Sequence, residues 1–271
     1  GHSRAANQPC TACGAEKLMH FGLGTEKLEE AVQKLFPGAR TARMDRDTTR
    51  RRGRLLGILK DLRRGAIDIL IGTQMVAKGH DFPNITLVGI VCADTTLNFP
   101  DFRSSERTFQ LLAQVAGRAG RGRQPGRVIL QTYNPEHFTV TSAREQNYEA
   151  FYQKEITYRG ELGYPPYSRM VQFLITGRNR DKTRETAAAL GAAARSRLQR
   201  DGRLRSQIRI LGPAEAALQQ VAGRFRWQLL LKGLRPAPLN RFARELLQAA
   251  APSRSAQSLQ VVVDVDPLFM M

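Results

Sequence analysis

Cysteine, tryptophan and acidic residues are all scarce in this chain: 271 residues hold 3 Cys, 1 Trp and 24 Asp plus Glu. Three cysteines are too few for a disulfide framework, which excludes a small secreted scaffold. No apolar run reaches the roughly 18 residues that cross a bilayer, so a transmembrane helix is not expected. A charged-then-apolar leader with a small-residue cleavage site is absent too, which points to the cytoplasm. There is no initiator Met, and Gly1 is therefore read as a boundary inside a protein that starts further upstream. Neither a Gly-x-x-x-x-Gly-Lys-Ser/Thr phosphate loop nor an acidic Walker B element occurs, which excludes nucleotide hydrolysis by this stretch acting alone.

What the chain has in excess is positive charge. Lys plus Arg number 42, giving a formal net charge of +18, and such an excess favours a polyanion. With no membrane span, nucleic acid is the leading partner. The excess is uneven: residues 151–271 carry 20 basic and 9 acidic residues. One cysteine pair, Cys10-Thr-Ala-Cys13-Gly, has the turn spacing that lets two thiolates meet one Zn²⁺. A tetrahedral site needs four ligands, so Cys10 and Cys13 are read as half of a severed zinc site. Neither Cys92, inside an apolar run, nor His2 or His20 has the spacing to complete it.

Period and punctuation predict two domains. Leu28, Val32, Leu35 and Phe36 follow helical spacing before Pro37-Gly38, and Leu55–Leu62 repeats the pattern. Ile67–Ile71 and Ile85–Val91 read as strands apolar on both faces, as a buried parallel sheet requires. A helix over Ser104–Ala116 and a strand over Arg127–Gln131 extend an alternating α/β series. A long helix from Pro135 to Arg159 then leads to Leu162-Gly163-Tyr164-Pro165-Pro166-Tyr167, where consecutive prolines remove two backbone donors and mark the domain join. The rest reads strand (Met170–Thr176), helix (Lys182–Arg200), strand (Ile208–Leu211), strand (Arg226–Leu231), helix (Pro238–Ala249), strand (Leu259–Val265). That β-α-β-β-α-β order is ferredoxin-like, and the Ala-rich tract within it is helix without chemistry.

The sharpest motif is Gln114-Val115-Ala116-Gly117-Arg118-Ala119-Gly120-Arg121-Gly122. Two arginines three apart near a helix end share a face, and a guanidinium stays charged and grips phosphate in bidentate fashion, as arginine fingers do. A solvated basic helix end has the same pattern. A second string, Gly72-Thr73-Gln74-Met75-Val76-Ala77-Lys78-Gly79-His80-Asp81-Phe82-Pro83, follows a predicted strand, at the edge where open parallel sheets bind ligands.

Together these strings resemble motifs five and six of superfamily 2 helicases. With Gly24-Thr25-Glu26, Asp45-Arg46-Asp47-Thr48-Thr49 and Asp94…Asp101-Phe102-Arg103-Ser104-Ser105-Glu106-Arg107, the wording is similar to the PriA family of replication-restart DNA helicases. The likeness is densest over residues 10–135. Beyond 160 it continues in Pro165-Pro166-Tyr167, Arg224-Phe225-Arg226-Trp227-Gln228 and Asp264-Val265-Asp266-Pro267.

The resemblance implies a remnant of a zinc-binding segment (1–20), a second RecA-like lobe (21–160) and a basic DNA-binding domain (161–271). It implies that Arg118 and Arg121 contact the γ-phosphate of ATP held with Mg²⁺ against an absent first lobe, and that Gln114 senses nucleotide. Gly79, Asp81 and Gly117 line the nucleotide, while Thr73, Gln74 and Lys78 face DNA. His80 is expected to be structural. Branched and single-stranded DNA, primosome proteins and single-stranded DNA-binding protein are the implied partners, in the bacterial cytoplasm at the nucleoid. The implied activity is ATP-dependent 3′-to-5′ unwinding in replication restart.

In Arg224-Phe225-Arg226-Trp227 cations interleave with aromatics, which suits phosphate pairing and base stacking. On a strand Arg224 and Arg226 share one face, and Phe225 and Trp227 the other, so the aromatic pair serves either a base or the core. Two other readings fit the composition: a catalytically inactive module that binds fork DNA and recruits primosome proteins, and an RNA-binding protein. The absence of an aromatic-rich RNA-recognition string argues against the last.

Overall fold

The computed structural model describes residues 9, 14, 24–45, 47–48, 53–73, 76, 85–117, 125–249 and 259–270. They fall into two compact units. One contains Ala6–Phe99 and Arg103–Lys154; the other contains Pro100–Phe102 and the chain from Glu155 onward.

The first unit opens with α1 (Thr25–Leu35), β1 (Thr41–Met44), α2 (Arg54–Arg63) and β2 (Ile69–Gly72). β1 and β2 pair in parallel, with Thr41 opposite Ile69 and Met44 opposite Gly72. An arginine fork ties the turn after α2 to the entry of β1. The Arg40 guanidinium donates to both Asp68 carboxylate oxygens at 2.9 and 2.6 Å and to the Gly65 carbonyl at 2.6 Å. This bidentate pair holds the Asp68 carboxyl well below the usual range. Of the apolar residues expected to face the core from α1, Leu28 and Val32 are half-buried. Leu35 and Phe36 are exposed, because the helix ends at Leu35 before its stripe completes another turn.

The unit continues through β3 (Leu87–Ile90), α3 (Asp94–Leu97), α4 (Ser104–Ala116), β4 (Arg127–Leu130), α5 (Phe138–Arg144) and α6 (Tyr148–Leu162), the last crossing into the second unit at Glu155. β3 and β4 are parallel and in register, Leu87 opposite Arg127 and Ile90 opposite Leu130. Over them Phe109 and Leu112 of α4, Ala143 of α5 and Phe151 of α6 form a core on Ile90 and Leu130. Its centre is a ring stack of Phe109 on Phe151, centroids 4.3 Å apart.

Two expectations are corrected here. β3 and β4 are not buried on both faces: the strand period alternates half-buried and exposed positions, and Leu87 and Ile129 are 58% and 54% exposed. The single helix expected over Pro135–Arg159 is two. Gln146 adopts a left-handed φ of 52°, and the Asn147 side chain then accepts from the Ala150 amide at 2.9 Å, capping a new helix.

The second unit contains β5 (Arg169–Gly177), α7 (Arg180–Arg200), α8 (Gly202–Gln207), β6 (Ile208–Val221), β7 (Arg224–Gly233), α9 (Pro236–Ala249) and β8 (Leu259–Val265). Its four strands lie in the order β6-β7-β5-β8, antiparallel at every pairing. The helices α7 and α9 bury one face, where Phe173, Leu229, Leu231, Leu239 and Phe242 are almost fully enclosed. Small residues bring α7 close: Ala187 and Ala194 have no exposure, and a Cβ on Gly191 would sit 2.6 Å from Pro213 Cδ. The Ala-rich tract is thus a close-packing surface. β6 runs longer than the sequence suggests, with register shifts between Leu211 and Ala214 and between Glu215 and Gln220.

At the start of β5 a second cluster joins Met170, Leu230 and Met270 with Phe102 and Tyr164. Phe102 stacks on Tyr164, centroids 5.3 Å apart and planes 7° from parallel. Arg159 lies 5.3 Å from the Phe102 ring and Lys232 Nζ 4.2 Å from the Tyr164 ring. The Lys232 ammonium also donates to the Leu162 carbonyl at 2.7 Å, while burial and then Arg209 push its pKa down. Asp101 accepts from the Met270 amide at 3.1 Å.

Phe173 has no exposure in this core, and Trp227, the sole tryptophan, packs in the same cluster. Phe173→Ala should therefore cost the second unit about 3–5 kcal/mol, read as an earlier red shift of Trp227 fluorescence in urea. A loss below about 1 kcal/mol, the ordinary scale of a surface change, would contradict this packing.

Candidate nucleotide and DNA site

The C-terminal ends of β1 and β2 bring together strings far apart in sequence. Thr25, the first residue of α1, donates its hydroxyl to Asp45 Oδ2 at 2.7 Å. Asp45 Oδ1 accepts from the amides of Asp47 and Thr48 at 3.1 and 2.8 Å, and the Asp45 amide donates to the Thr48 hydroxyl at 3.0 Å. Arg43 Nε lies 3.2 Å from Asp45 Oδ2. Burial opposes ionisation, but these donors and Arg43 outweigh it and hold the carboxyl at about 2. The Gly24-Thr25-Glu26 and Asp45–Thr49 strings are therefore two sides of one tie.

Gly72 ends β2 opposite Met44. A Cβ there would overlap the Met44 carbonyl oxygen and the Val76 side chain, so only glycine fits. Thr73 follows at once and is exposed at the strand's C-terminal end.

Helix α4 carries the second half of the site. Thr108, Phe109, Leu112 and Val115 form its buried stripe, which fixes its rotation. Gln114 is half-buried in the last turn, and Gly117 closes the helix with φ −70°. A Cβ on Gly117 would meet only the Ala113 and Gln114 carbonyl oxygens, at 3.6 and 3.7 Å. The chain's own packing thus does not demand glycine there, and a small residue leaves the helix end open to a bulky anion. In sequence the next cations are Arg118 and Arg121, on the side where a helix C-terminus favours positive charge.

A third group lies at the C-terminal ends of β3 and β4. Asp94, 2% exposed, accepts from the Thr132 hydroxyl at 3.0 Å and the Tyr133 amide at 3.1 Å. Its neighbour Cys92 has a left-handed φ of 57°. The sequence placed Asp94 in a family-like string without a role. The signal for one, a carboxylate just past an apolar strand, carries little without the fold.

Of the expected site residues, Thr73, Gln114, Gly117, Arg224, Arg226 and Trp227 are among those described; Cys10, Cys13, Gln74, Lys78, Gly79, His80, Asp81, Arg118 and Arg121 lie outside them. Arg224 and Arg226 are half-buried on β7. Trp227 corrects an expectation: at 6% exposure it is locked against Phe173 and its neighbours, with no ring face left for a base. Strand alternation turned it inward with Phe225. Among the described residues no His, Cys, Asp or Glu group is arranged to hold a metal, and no helix is long and apolar enough to cross a membrane.

Residues 14–123 match the helicase conserved C-terminal domain, which makes the parallel α/β unit a RecA-like helicase lobe. Residues 160–268 match the primosomal protein N C-terminal domain. The chain is 39% identical over 271 residues to the replication restart protein PriA of Bacillus subtilis, covering 100% of this chain and 33% of that protein. It is 41% identical to the protein of that name from Synechocystis, covering 98% and 31%, and 40% identical to the one from Haemophilus influenzae, covering 98% and 36%. The chain belongs to the PriA family and spans about a third of the length of these relatives.

The Asp45 tie gives a pH test. Its carboxyl sits at about 2, below the ordinary 3.8, so between those values the unfolded chain binds more protons and acid favours unfolding. The stability advantage of wild type over Asp45→Asn should be full above about pH 4 and shrink as pH falls toward 2. Far-ultraviolet dichroism melts measure it, and a gap that stays constant across the window would refute the assignment.

Proposed function

We propose that this chain is the second motor lobe and basic C-terminal domain of an ATP-dependent 3′-to-5′ DNA helicase that reads branched forks and starts primosome assembly in replication restart. The observation that carries the reading is the end of α4. A helix fixed by its buried face delivers Gln114 and Gly117, then the two arginines, in a lobe matching a helicase family. The reading divides the chain into 1–20, a remnant zinc-binding segment; 21–160, the lobe; and 161–271, the DNA-binding domain. The element order and the β6-β7-β5-β8 sheet support a ferredoxin-like architecture for the last.

In this reading ATP with Mg²⁺, held against a first lobe from elsewhere in the protein, supplies the phosphoanhydride bond that drives the motor. Arg118 and Arg121 stabilise charge developing on the γ-phosphoryl group, Gln114 orients toward it, and Gly79, Asp81 and Gly117 line the nucleotide. Thr73, Gln74 and Lys78 contact the DNA backbone from the lobe; Arg224 and Arg226 pair phosphates from the basic domain. Cys10 and Cys13 contribute two thiolates to a Zn²⁺ site completed by other residues of the whole protein. Single-stranded DNA-binding protein and primosome proteins are partners, in the bacterial cytoplasm at the nucleoid.

Two measurements test this. Arg118→Ala in the full-length parent should lower DNA-stimulated ATPase roughly 10³-fold or more while DNA affinity stays near wild type; unchanged turnover rejects the motor assignment. Fluorescence anisotropy of this chain on a three-way fork, matched single strand and duplex over a salt series should show a fork preference with a steep salt slope. Weak binding indifferent to DNA structure would remove fork recognition from these residues.

A further inference from the structure

We infer that Tyr133 is a base-stacking platform for single-stranded DNA, presented on a rigid shelf at the C-terminal edge of β3 and β4; this rests on the reading of the lobe as a DNA motor. Its ring is 76% exposed, more than any other large apolar side chain described in either unit.

The shelf beneath it is built as few surface loops are. Beyond β3, the Ala93 amide donates to the Gln131 carbonyl at 3.1 Å, and the Gln131 amide to the Ile90 carbonyl at 2.9 Å, extending the parallel ladder past its strands. Buried Asp94 then spends both carboxylate oxygens on the next two residues, accepting from the Thr132 hydroxyl and the Tyr133 amide. The Thr132 hydroxyl accepts from the Asn134 amide at 3.1 Å, and the Asn134 carbonyl accepts from the His137 amide at 3.2 Å. Cys92, beside this network, is held in the left-handed region, which costs strain for a residue with a Cβ.

An ordinary connection needs none of this. A buried charge, a strained residue and consecutive backbone ties together fix the Tyr133 backbone while its ring stands in solvent. A ring so placed loses little entropy on binding. The C-terminal edge of a parallel α/β sheet is where ligands dock, and a chain of net charge +18 draws a polyanion to its surface. An unpaired base has the flat face that an exposed tyrosine ring takes, whatever its sequence.

The test compares wild type, Tyr133→Ala and Tyr133→Phe in this chain, with a fluorescein-labelled oligothymidylate and a strand carrying 2-aminopurine, over a salt series. Tyr133→Ala should bind roughly ten-fold more weakly at every salt concentration, the loss of one base stack. Its salt slope should match wild type, since no phosphate contact is removed. 2-Aminopurine quenching should fall with the ring removed and persist in Tyr133→Phe. Equal affinity and quenching in all three proteins overturns the platform while leaving the DNA reading intact. Equal weakness of the Ala and Phe variants overturns stacking in favour of a hydroxyl contact. Failure of wild type to bind the strand overturns both.

Discussion

The apolar stripe of one helix fixes the motor half of this chain. Thr108, Phe109, Leu112 and Val115 leave α4 a single rotation against Phe151, Ala143, Ile90 and Leu130. Residues on the other faces inherit their positions from it. Gln114 sits one step before Val115, and Gly117 caps the last turn. The arginines that follow therefore leave the helix at a defined point. Truncating Phe109 would loosen this anchor as well as removing buried area, since the ring stack with Phe151 forms its centre.

Charge is divided by the same logic. In a chain with far more cations than anions, the buried ionic groups described are mostly carboxylates: Asp45, Asp94, Asp101 and Glu155. Each serves as an internal tie. Asp45 gathers hydroxyls and amides of Thr25, Asp47 and Thr48; Asp94 gathers Thr132 and Tyr133; Asp101 takes the Met270 amide; Glu155 pairs with Arg159 at 2.7 Å. A carboxylate accepts several donors at once, so a short side chain can close a loop without a bulky partner. Lys232 is the exception, and it is buried only with a carbonyl and an aromatic ring to receive its ammonium.

Much of the fold was legible because its signals are local. The helix over Ser104–Ala116 and the strand over Leu259–Val265 have the ends that period and punctuation assign them. So did the family-bearing strings, whose spacing survives without any structure. What escaped depended on contacts between distant residues or on backbone choices that side-chain pattern does not encode. The break at Gln146 rests on one positive φ and an asparagine cap within a run of good helix formers. The length of β6 rests on its pairing with β7 through two register shifts. Trp227 was ambiguous because an alternating strand supplies an inward and an outward face equally well; the cover of α7 and α9 decided it.

The same distinction explains why Asp94 and Tyr133 drew no role from sequence. A carboxylate after an apolar strand is ordinary, and so is a tyrosine before a proline-bearing turn. Their relation, across 39 residues, exists only once β3 and β4 align and carry both chain exits to one edge. Parallel pairing makes that unavoidable: strands running the same way release their chains at the same end, so loops distant in sequence become neighbours. The lobe's exposed chemistry collects at this edge for that reason. Thr73 after β2, and Asp94 with Tyr133 after β3 and β4, are separate consequences of one topology.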